Sequence, residues 1–469
     1  MAELEAVNVN FAFRRKVYEG LPGWLKAPVR WVPFGVWAGK AYRATLARNT
    51  LFERADRSTI RTFQAAKLRR ILEFAVDQVP AYQAMKGKVH RLEPFEALRE
   101  FPLIEKDTIQ REFSRYVPRD IDRIPHYECT TGGTTGNQLR FFLDNHSQSI
   151  ETAFMHRQWA RVGYSPRSRK ATFRGVEFRN LREGVYWQEN PIYNEVQFSP
   201  FHMNEKTLGG YIDQLFRYRP EFLHGYPSAI SLLAEYVVRH GIDMRGLGLK
   251  AVLLGSEGTE PGQRQAIATA FRARPYSWYG HSERLLLGGE CERTEAYHHI
   301  PDYGILEIID DQGQAVIEPG QEGELVGTGL WNCAMPLIRY RTGDRGRLLE
   351  TRCDCGRHFD RFDRVQGRWQ QEYVVGRSGS RISIAALNVH GPFYDHVVRY
   401  QYVQRVPGLM ELRLMTAPGF SDDDMEGLKR AFAARAGDEL EVTIKIVDDI
   451  PLTARGKMRR VLRETQARE

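Results

Sequence analysis

Lys250-Ala251-Val252-Leu253-Leu254-Gly255-Ser256-Glu257-Gly258 decides the fold. Its apolar run does not alternate with polar residues, which marks a parallel strand covered on both faces, and it stops in small turn residues. An alanine-rich helix is predicted next, over Gly262 to Arg274. The same design occurs upstream in Pro220-Glu221-Phe222-Leu223-His224-Gly225-Tyr226-Pro227-Ser228, where Ser228 is the expected N-cap of the following helix. It recurs downstream in Tyr276-Ser277-Trp278-Tyr279-Gly280-His281-Ser282-Glu283. Three strand–loop–helix units indicate an α/β sheet with ligands at the carboxyl ends of its strands. Those ends carry His224, Gly225 and Tyr226; Gly255, Ser256 and Glu257; and Tyr279 to Glu283.

Before these units stands Cys129-Thr130-Thr131-Gly132-Gly133-Thr134-Thr135-Gly136-Asn137. Its glycines permit tight turns, and its N–H groups and hydroxyls can form a nest for an anion. Gln138 to Leu143 reads as a strand. No lysine follows Gly136, so this is not a P-loop. Leu68, Ile71, Leu72, Ala75 and Val76 recur on one helix face between Thr62 and Val79, and Val79-Pro80 ends that helix. His146 to Val162 and Leu208 to Arg217 read as further helices.

After Gly304 the pattern changes. Ile305 to Ile309, the turn Asp310 to Gly313, and Gly323 to Thr328 read as antiparallel strands, closed by Arg339-Tyr340-Arg341-Thr342-Gly343-Asp344. The last hundred residues read as a compact module. It has a hairpin (Val397 to Val403, Met410 to Met415), a helix opened by Ser421 with Asp424, and a strand alternating Val442, Ile444 and Ile446. The chain then reaches Pro451-Leu452-Thr453-Ala454-Arg455-Gly456-Lys457.

Composition bounds the function. With 469 residues, 42% of them hydrophobic and 27% charged, the chain suits two to four soluble domains. It holds no apolar run of transmembrane length and no leader pattern at its start, and the five cysteines suit a reducing compartment; a cytoplasmic protein is expected. The formal charge of +8 suits small polyanions, and no nucleic-acid module is visible. The basic and aromatic segment from Phe11 to Arg48 reads as an N-terminal helical layer rather than a membrane or partner anchor, because prolines at 22, 28 and 33 interrupt it.

In this order the motifs resemble the adenylate-forming ligase superfamily, within it the phenylacetate–CoA ligase-like and CapK-like branch. The resemblance runs from about Ile104 to the end. With the N-terminal layer taken as residues 1–60, it implies a large domain of layered α/β sheets over 61–367 with a β subdomain at about 300–367, and a small mobile α+β domain over 368–469. It also implies ATP- and Mg²⁺-dependent adenylation of a carboxylic acid, followed by transfer of the acyl group to a thiol, most naturally coenzyme A.

Thr130, Thr131, Gly132, Gly133, Thr134, Thr135 and Gly136 resemble the clasp for the β- and γ-phosphates. Gly255, Ser256, Glu257 and Tyr279 would flank adenine, with Gly280, His281 and Ser282 beside them. Glu283 would hold Mg²⁺, Asp344 the ribose, and Arg368 the ribose or phosphate. Lys457 would bridge the α-phosphate and the acid. By resemblance the catalytic residues are Lys457, Glu283 and Thr135.

Three features depart from the family pattern, the first being an extra glycine in the loop, Gly132-Gly133. Asn137 replaces the usual lysine, and Trp369-Gln370-Gln371 replaces the hinge acids, with Glu372 one place late. His224, Gly225 and Tyr226 would border the acid, and an aromatic wall of Phe173, Phe178, Trp187, Tyr193, Phe198, His224 and Tyr226 would suit an aryl or bulky acyl group.

Cys353-Asp354-Cys355-Gly356-Arg357, with Cys291 and His298-His299 upstream, offers three thiolates and an imidazole. That set suits structural zinc on Cys291, His298, Cys353 and Cys355, and relatives in the CapK-like branch share the pattern. Three unpaired cysteines and a core histidine are the alternative. Cys129 and Cys333 read as packing residues. The acceptor stays open between coenzyme A, an amine and a carrier protein, and a non-catalytic nucleotide-binding protein on this scaffold is the remaining alternative. A homodimer is compatible with all of these.

Overall fold

A computed structural model describes residues 31–463 except 132–138, 176–177, 179–183, 364, 366–371, 388, 390 and 451–460, together with Tyr18 and Pro28. The expected positions Gly132, Gly133, Thr134, Thr135, Gly136, Arg368 and Lys457, and the 369–371 departure, therefore lie outside the described residues.

The first strands stand apart from the main sheet. β1 (His126–Thr130) pairs antiparallel with β2 (Arg140–Asp144). The Thr131 N–H donates to the Leu139 carbonyl at 2.9 Å and the Leu139 N–H to Thr131 Oγ1 at 2.9 Å. The strands on either side of the Thr/Gly stretch are thus paired with each other, where the sequence alone showed only a loop followed by a strand.

The main sheet holds β3 (Lys170–Phe173), β4 (Trp187–Asn190), β5 (Glu195–Phe198), β6 (Phe222–Gly225), β7 (Ala251–Leu254), β8 (Arg274–Gly280), β9 (Leu287–Gly289), β10 (Tyr297–His299), β11 (Gly304–Ile309), β12 (Glu322–Gly329), β13 (Tyr340–Leu349) and β14 (Arg361–Phe362). Their order is β11-β12-β13-β14-β10-β9-β8-β7-β6-β3-β5-β4. β5, β3, β6, β7 and β8 run parallel, with the unbroken apolar run of β7 among them. From β8 onward the ladders are antiparallel, where the sequence changes character.

Both faces of the parallel part are covered. The longer helices are α1 (Phe34–Phe52), α2 (Arg57–Gln78), α3 (Ser147–Ala160), α4 (Leu208–Tyr218), α5 (Pro227–Arg239), α6 (Gln263–Phe271) and α7 (Asp422–Ala436). One face puts Ala171, Phe173, Val196, Phe198 and Leu223 against Leu215, Ile230, Leu233 and Ile267 of α4, α5 and α6. On the other face, Phe222, Ala251, Leu253 and Tyr276 meet Trp159 of α3 and Tyr164. α2 ends at extended Val79 before Pro80 and buries Leu68, Ile71, Leu72, Ala75 and Val76, the face expected from the spacing.

One cap differs from expectation. α5 begins at Pro227 with Tyr226 as its extended cap residue; proline sets the φ of the first turn and displaces Ser228 inward, where its N–H donates to Glu257 Oε2 at 3.1 Å.

The smaller C-terminal domain contains β15 (Tyr373–Val375), β16 (Arg381–Ser383), β17 (Val397–Val406), β18 (Leu409–Thr416), β19 (Glu441–Ile446) and β20 (Val461–Arg463). The last four form a sheet of order β19-β18-β17-β20. α7 lies beside it, opened by the Ser421–Asp424 capping box, with Leu428 and Phe432 buried.

α1 packs on α3. Tyr42 Oη lies 2.8 Å from His156 Nδ1, and Ser149 Oγ donates to the Ala38 carbonyl at 2.8 Å. Just beyond α1, Glu53 meets three guanidiniums: Arg157 at 3.1 Å, Arg161 at 3.0 Å, and Arg357. Burial opposes its charge, but Arg161, Arg157 and Arg357 together hold its carboxyl far below the ordinary range. Among the described residues no helix is long and apolar enough to cross a membrane.

Candidate active site

A cavity of about 1860 Å³ opens at the carboxyl ends of the parallel strands, where a doubly covered sheet places its ligands. It is bordered by Thr130 and Thr131 from the hairpin, His224 and Tyr226 after β6, Ser256 and Glu257 after β7, Tyr279 to Glu283 after β8, and Asp344 on β13. Segments far apart in sequence therefore converge on one space.

Gly225 and Gly255 do not border it. A Cβ on Gly225 would sit 2.7 Å from the Phe173 carbonyl oxygen, and one on Gly255 would sit 2.3 Å from the indole of Trp278 on β8. These two glycines let strands and rings approach beneath the cavity floor rather than touching its contents.

Glu283 is the best-defined acid. Tyr340 Oη donates to its Oε1 at 2.8 Å and His281 Nδ1 lies 3.2 Å from its Oε2. The Leu286 N–H points to His281 Nε2 at 3.3 Å, which leaves the ring proton on Nδ1, facing the carboxylate. Burial pushes this carboxyl up, but the His281 hydrogen bond and charge, with the Glu283 N–H and Tyr340, bring it down to about 2. It is a carboxylate at neutral pH, a donor suited to a hard cation that takes its remaining ligands from phosphate and water.

Asp344 accepts from Tyr279 Oη at 3.1 Å, and its N–H donates to Thr342 Oγ1 at 3.1 Å. Burial, then the Asp344 charge, raises the Tyr279 phenol well above its ordinary value, so it stays a donor. Ser256 has a left-handed backbone, φ 68°, and its Oγ accepts from Arg174 Nη2 at 2.6 Å. Glu257 accepts from the Ser228 N–H and from the hydroxyl of Ser383 in the C-terminal domain, and burial raises its carboxyl. Ala385, Gly391, Pro392 and Arg435 of that domain also border the cavity.

Tyr340, Thr342 and Arg174 were not singled out by sequence reasoning. The period-two spacing of Tyr340, Thr342 and Asp344 would have found the first two, since alternate residues of a strand share a face.

The expected aromatic wall is only partly present. Tyr193, His224 and Tyr226 border the cavity. Phe173 and Phe198 stack on each other at 4.7 Å in the core of the opposite sheet face, because they occupy the other parity of β3 and β5. Phe178 and Trp187 are not on the cavity wall either.

Away from this cavity, Cys291, His298, Cys353 and Cys355 place their ligand atoms within 4.8 Å of one another. Cys291 Sγ is 3.8 Å from Cys353 Sγ, and Cys355 Sγ is 3.4 Å from His298 Nε2. A tetrahedral zinc ion with bonds of about 2.3 Å to sulfur and ~2.0 Å to nitrogen sets edges of about 3.8 and ~3.6 Å, so the four residues fit it. His299, the neighbour, is outside the group. Cys129 and Cys333 stand apart, and burial raises both thiols, Cys333 to about 12, as suits packing residues.

Comparison with known proteins gives the kinship. The family model of the CapK C-terminal domain matches residues 374–464. The chain is 24% identical over 442 residues to a phenylacetate–coenzyme A ligase of Thermus thermophilus, covering 87% of this chain and 98% of that one. It is 22% identical over 367 residues to protein CapK of Staphylococcus aureus, covering 77% and 79%. Among solved structures, 2-hydroxyisobutyryl-CoA ligase in complex with 2-HIB-AMP and CoA superimposes with a TM-score of 0.55 at 18% identity, over 88% of this chain and 91% of that one. The chain is a homologue of phenylacetate–CoA ligases and CapK, and it has the adenylate-forming ligase fold.

Proposed function

We propose that this chain is an ATP- and Mg²⁺-dependent, AMP-forming ligase that adenylates a bulky carboxylic acid and passes the acyl group to the thiol of coenzyme A. The observation that carries the reading is one cavity shared by Thr131, Ser256, Tyr279, Glu283 and Asp344, with Glu283 ionised despite its burial, in a homologue of phenylacetate–CoA ligases.

In the first step the acid's carboxylate attacks the α-phosphorus and pyrophosphate leaves, giving an acyl-adenylate. In the second the thiol attacks the acyl carbon, and AMP leaves. Asp344 accepts from the ribose hydroxyls, its orientation fixed by Tyr279. The turn from Thr130 to Gly136 clasps the terminal phosphates. Glu283 would hold Mg²⁺, whose charge offsets that developing on the phosphate oxygens. Lys457 and Arg368 act from the small domain, taken as residues 368–469, which swings between the two half-reactions. Zinc in the Cys291, His298, Cys353 and Cys355 group is a structural clip far from this chemistry in role.

The match of residues 374–464 to the CapK C-terminal domain supports a second reading, in which an amine or a carrier-protein thiol replaces coenzyme A. ATP–pyrophosphate exchange over a panel of acids tests the first half-reaction. Acid-dependent exchange that Lys457→Ala removes supports the proposal; exchange at background with every acid overturns it. Mass analysis of products formed with coenzyme A, hydroxylamine and amines assigns the acceptor.

A further inference from the structure

The cavity continues past the residues assigned above, along the sheet towards β5. Three strand spacings separate β8 from β3 and four separate it from β5, or about 14 and ~19 Å at ~4.8 Å each. Register aligns Lys170 with Glu195, and Thr172 with both Gln197 and His224. All five border the cavity, and so does Asn190, which pairs with Glu195. The apolar residues between them, Ala171, Phe173, Val196, Phe198 and Leu223, face the opposite core. One sheet face is therefore polar across three strands and borders the cavity.

Part of this face is already satisfied. Glu195 accepts from Thr172 Oγ1 at 2.7 Å, Asn190 Nδ2 at 2.9 Å and Gln197 Nε2 at 2.9 Å, and pairs with Lys170 at 3.2 Å. Another part is not. His224 is 6% exposed and Trp159 is 5% exposed. Neither ring nitrogen of His224 has a hydrogen-bond partner, nor has Trp159 Nε1, nor Asn190 Oδ1. Buried polar atoms left unpaired are costly and rare, and all three residues stand on the cavity wall.

What they lack defines a ligand. Trp159 requires an acceptor, and neutral His224 beside it requires one donor and one acceptor. An ammonium only donates and would meet the positive charge of Lys170. A carboxylate only accepts and would meet Glu195. A hydroxyl does both and carries no charge.

We propose that the acid taken by this chain carries hydroxyl groups at the end remote from its carboxylate, held by His224 and Trp159, whose rings lie 5.1 Å apart. This rests on the adenylation reading and deepens it: the substrate class is a hydroxylated acid, aryl or alicyclic, not an unsubstituted hydrocarbon acid. A site built to hydrogen-bond a hydroxyl discriminates strongly against the analogue without it.

The test uses matched pairs of acids that differ only by hydroxyl groups, among them phenylacetate with its ring-hydroxylated forms and cyclohexanecarboxylate with its polyhydroxylated forms. The full-length protein is assayed by ATP–pyrophosphate exchange. The expected result is a preference in kcat/KM of about 100-fold or more for the hydroxylated member, and a fall in that preference of about tenfold or more in His224→Phe. Equal or better use of the deoxy acids overturns the inference and leaves the adenylation reading intact. Exchange at background throughout overturns the adenylation reading instead. Titration calorimetry of the same pairs, with AMP present, then decides the pocket: tighter binding of the hydroxylated acids supports the inference, and no preference overturns it.

Discussion

Tyr340 on β13 donates its hydroxyl to Glu283 on the loop after β8 at 2.8 Å, so the strand that carries Asp344 also steers the acid assigned to the cation. Tyr340→Phe removes that bond and leaves the ring. The expected result is a fall in kcat/KM of about tenfold, one charge-assisted hydrogen bond's worth, with a higher Mg²⁺ concentration needed for half-maximal exchange. Exchange assays over a Mg²⁺ titration check it, and an unchanged Mg²⁺ dependence counts against Glu283 as the cation's ligand.

Asp344 and Tyr279 form the second pair, 3.1 Å apart. Asp344→Ala is expected to raise the KM for ATP by about 10- to 100-fold, as expected for losing a buried carboxylate's hydrogen bonds. Tyr279→Phe, which only loosens its orientation, is expected to cost less. Steady-state kinetics with ATP varied separates the two, and equal losses would mean that the phenol itself touches the nucleotide.

The cysteine–histidine group makes a prediction independent of catalysis. Purified protein is expected to hold about one zinc ion per chain by elemental analysis, and Cys353→Ser or His298→Ala to lower that content together with the melting temperature. Zinc-free protein that melts at the same temperature as the untreated protein would contradict the clip.

Asp144 gives the pH dependence. Burial raises its carboxyl to about 6, against the opposing N–H bonds of Cys333 and Ala334. The unfolded chain titrates near the ordinary value, about 3.9. The folded state therefore prefers the protonated acid, and folding loses stability as pH rises from about 4 to about 6, on the order of 3 kcal/mol in all. Asp144→Asn keeps an acceptor and is expected to be more stable than the parent at pH 7.5 with no gain at pH 4. Denaturant titrations at the two pH values check it.

Ser383 of the small domain donates to Glu257 at the cavity. If the small domain turns between half-reactions, this contact belongs to one arrangement only. Ser383→Ala is expected to shift the ratio of exchange rate to thioester-formation rate by about two- to fivefold, the scale of one modest coupling. Equal effects on both rates would mean that the hydroxyl plays no part in the turn.

Much of this was legible in the sequence. Unbroken apolar runs such as Ala251 to Leu254 imply parallel strands because they need cover on both faces, and the turns after them bring His224, Ser256, Glu257, Tyr279 and Glu283 to one cleft. Cys291, His298, Cys353 and Cys355 are found by donor chemistry together with the pattern of the CapK-like branch. At the acid's end of the cavity, aromatic content misleads unless parity is counted with it. Phe173 and Phe198 point to the core, while Lys170, Thr172, Glu195 and Gln197, one residue away, face the cavity. Ser228 is not the cap because Pro227 can start the helix without it.

Glu53 answers to more than its own neighbourhood. A version of this chain begun after residue 53 would leave Arg161 the carbonyls of Gly289 and Glu290 but no paired carboxylate, while Arg157 and Arg357 would fall back on Asp302 and Glu292. An interior cation stripped of its counterion costs several kcal/mol. Glu53 is thus an electrostatic keystone at the end of the leading helix, and losing it would be felt at the Cys291, His298, Cys353 and Cys355 group, whose loop Arg357 anchors.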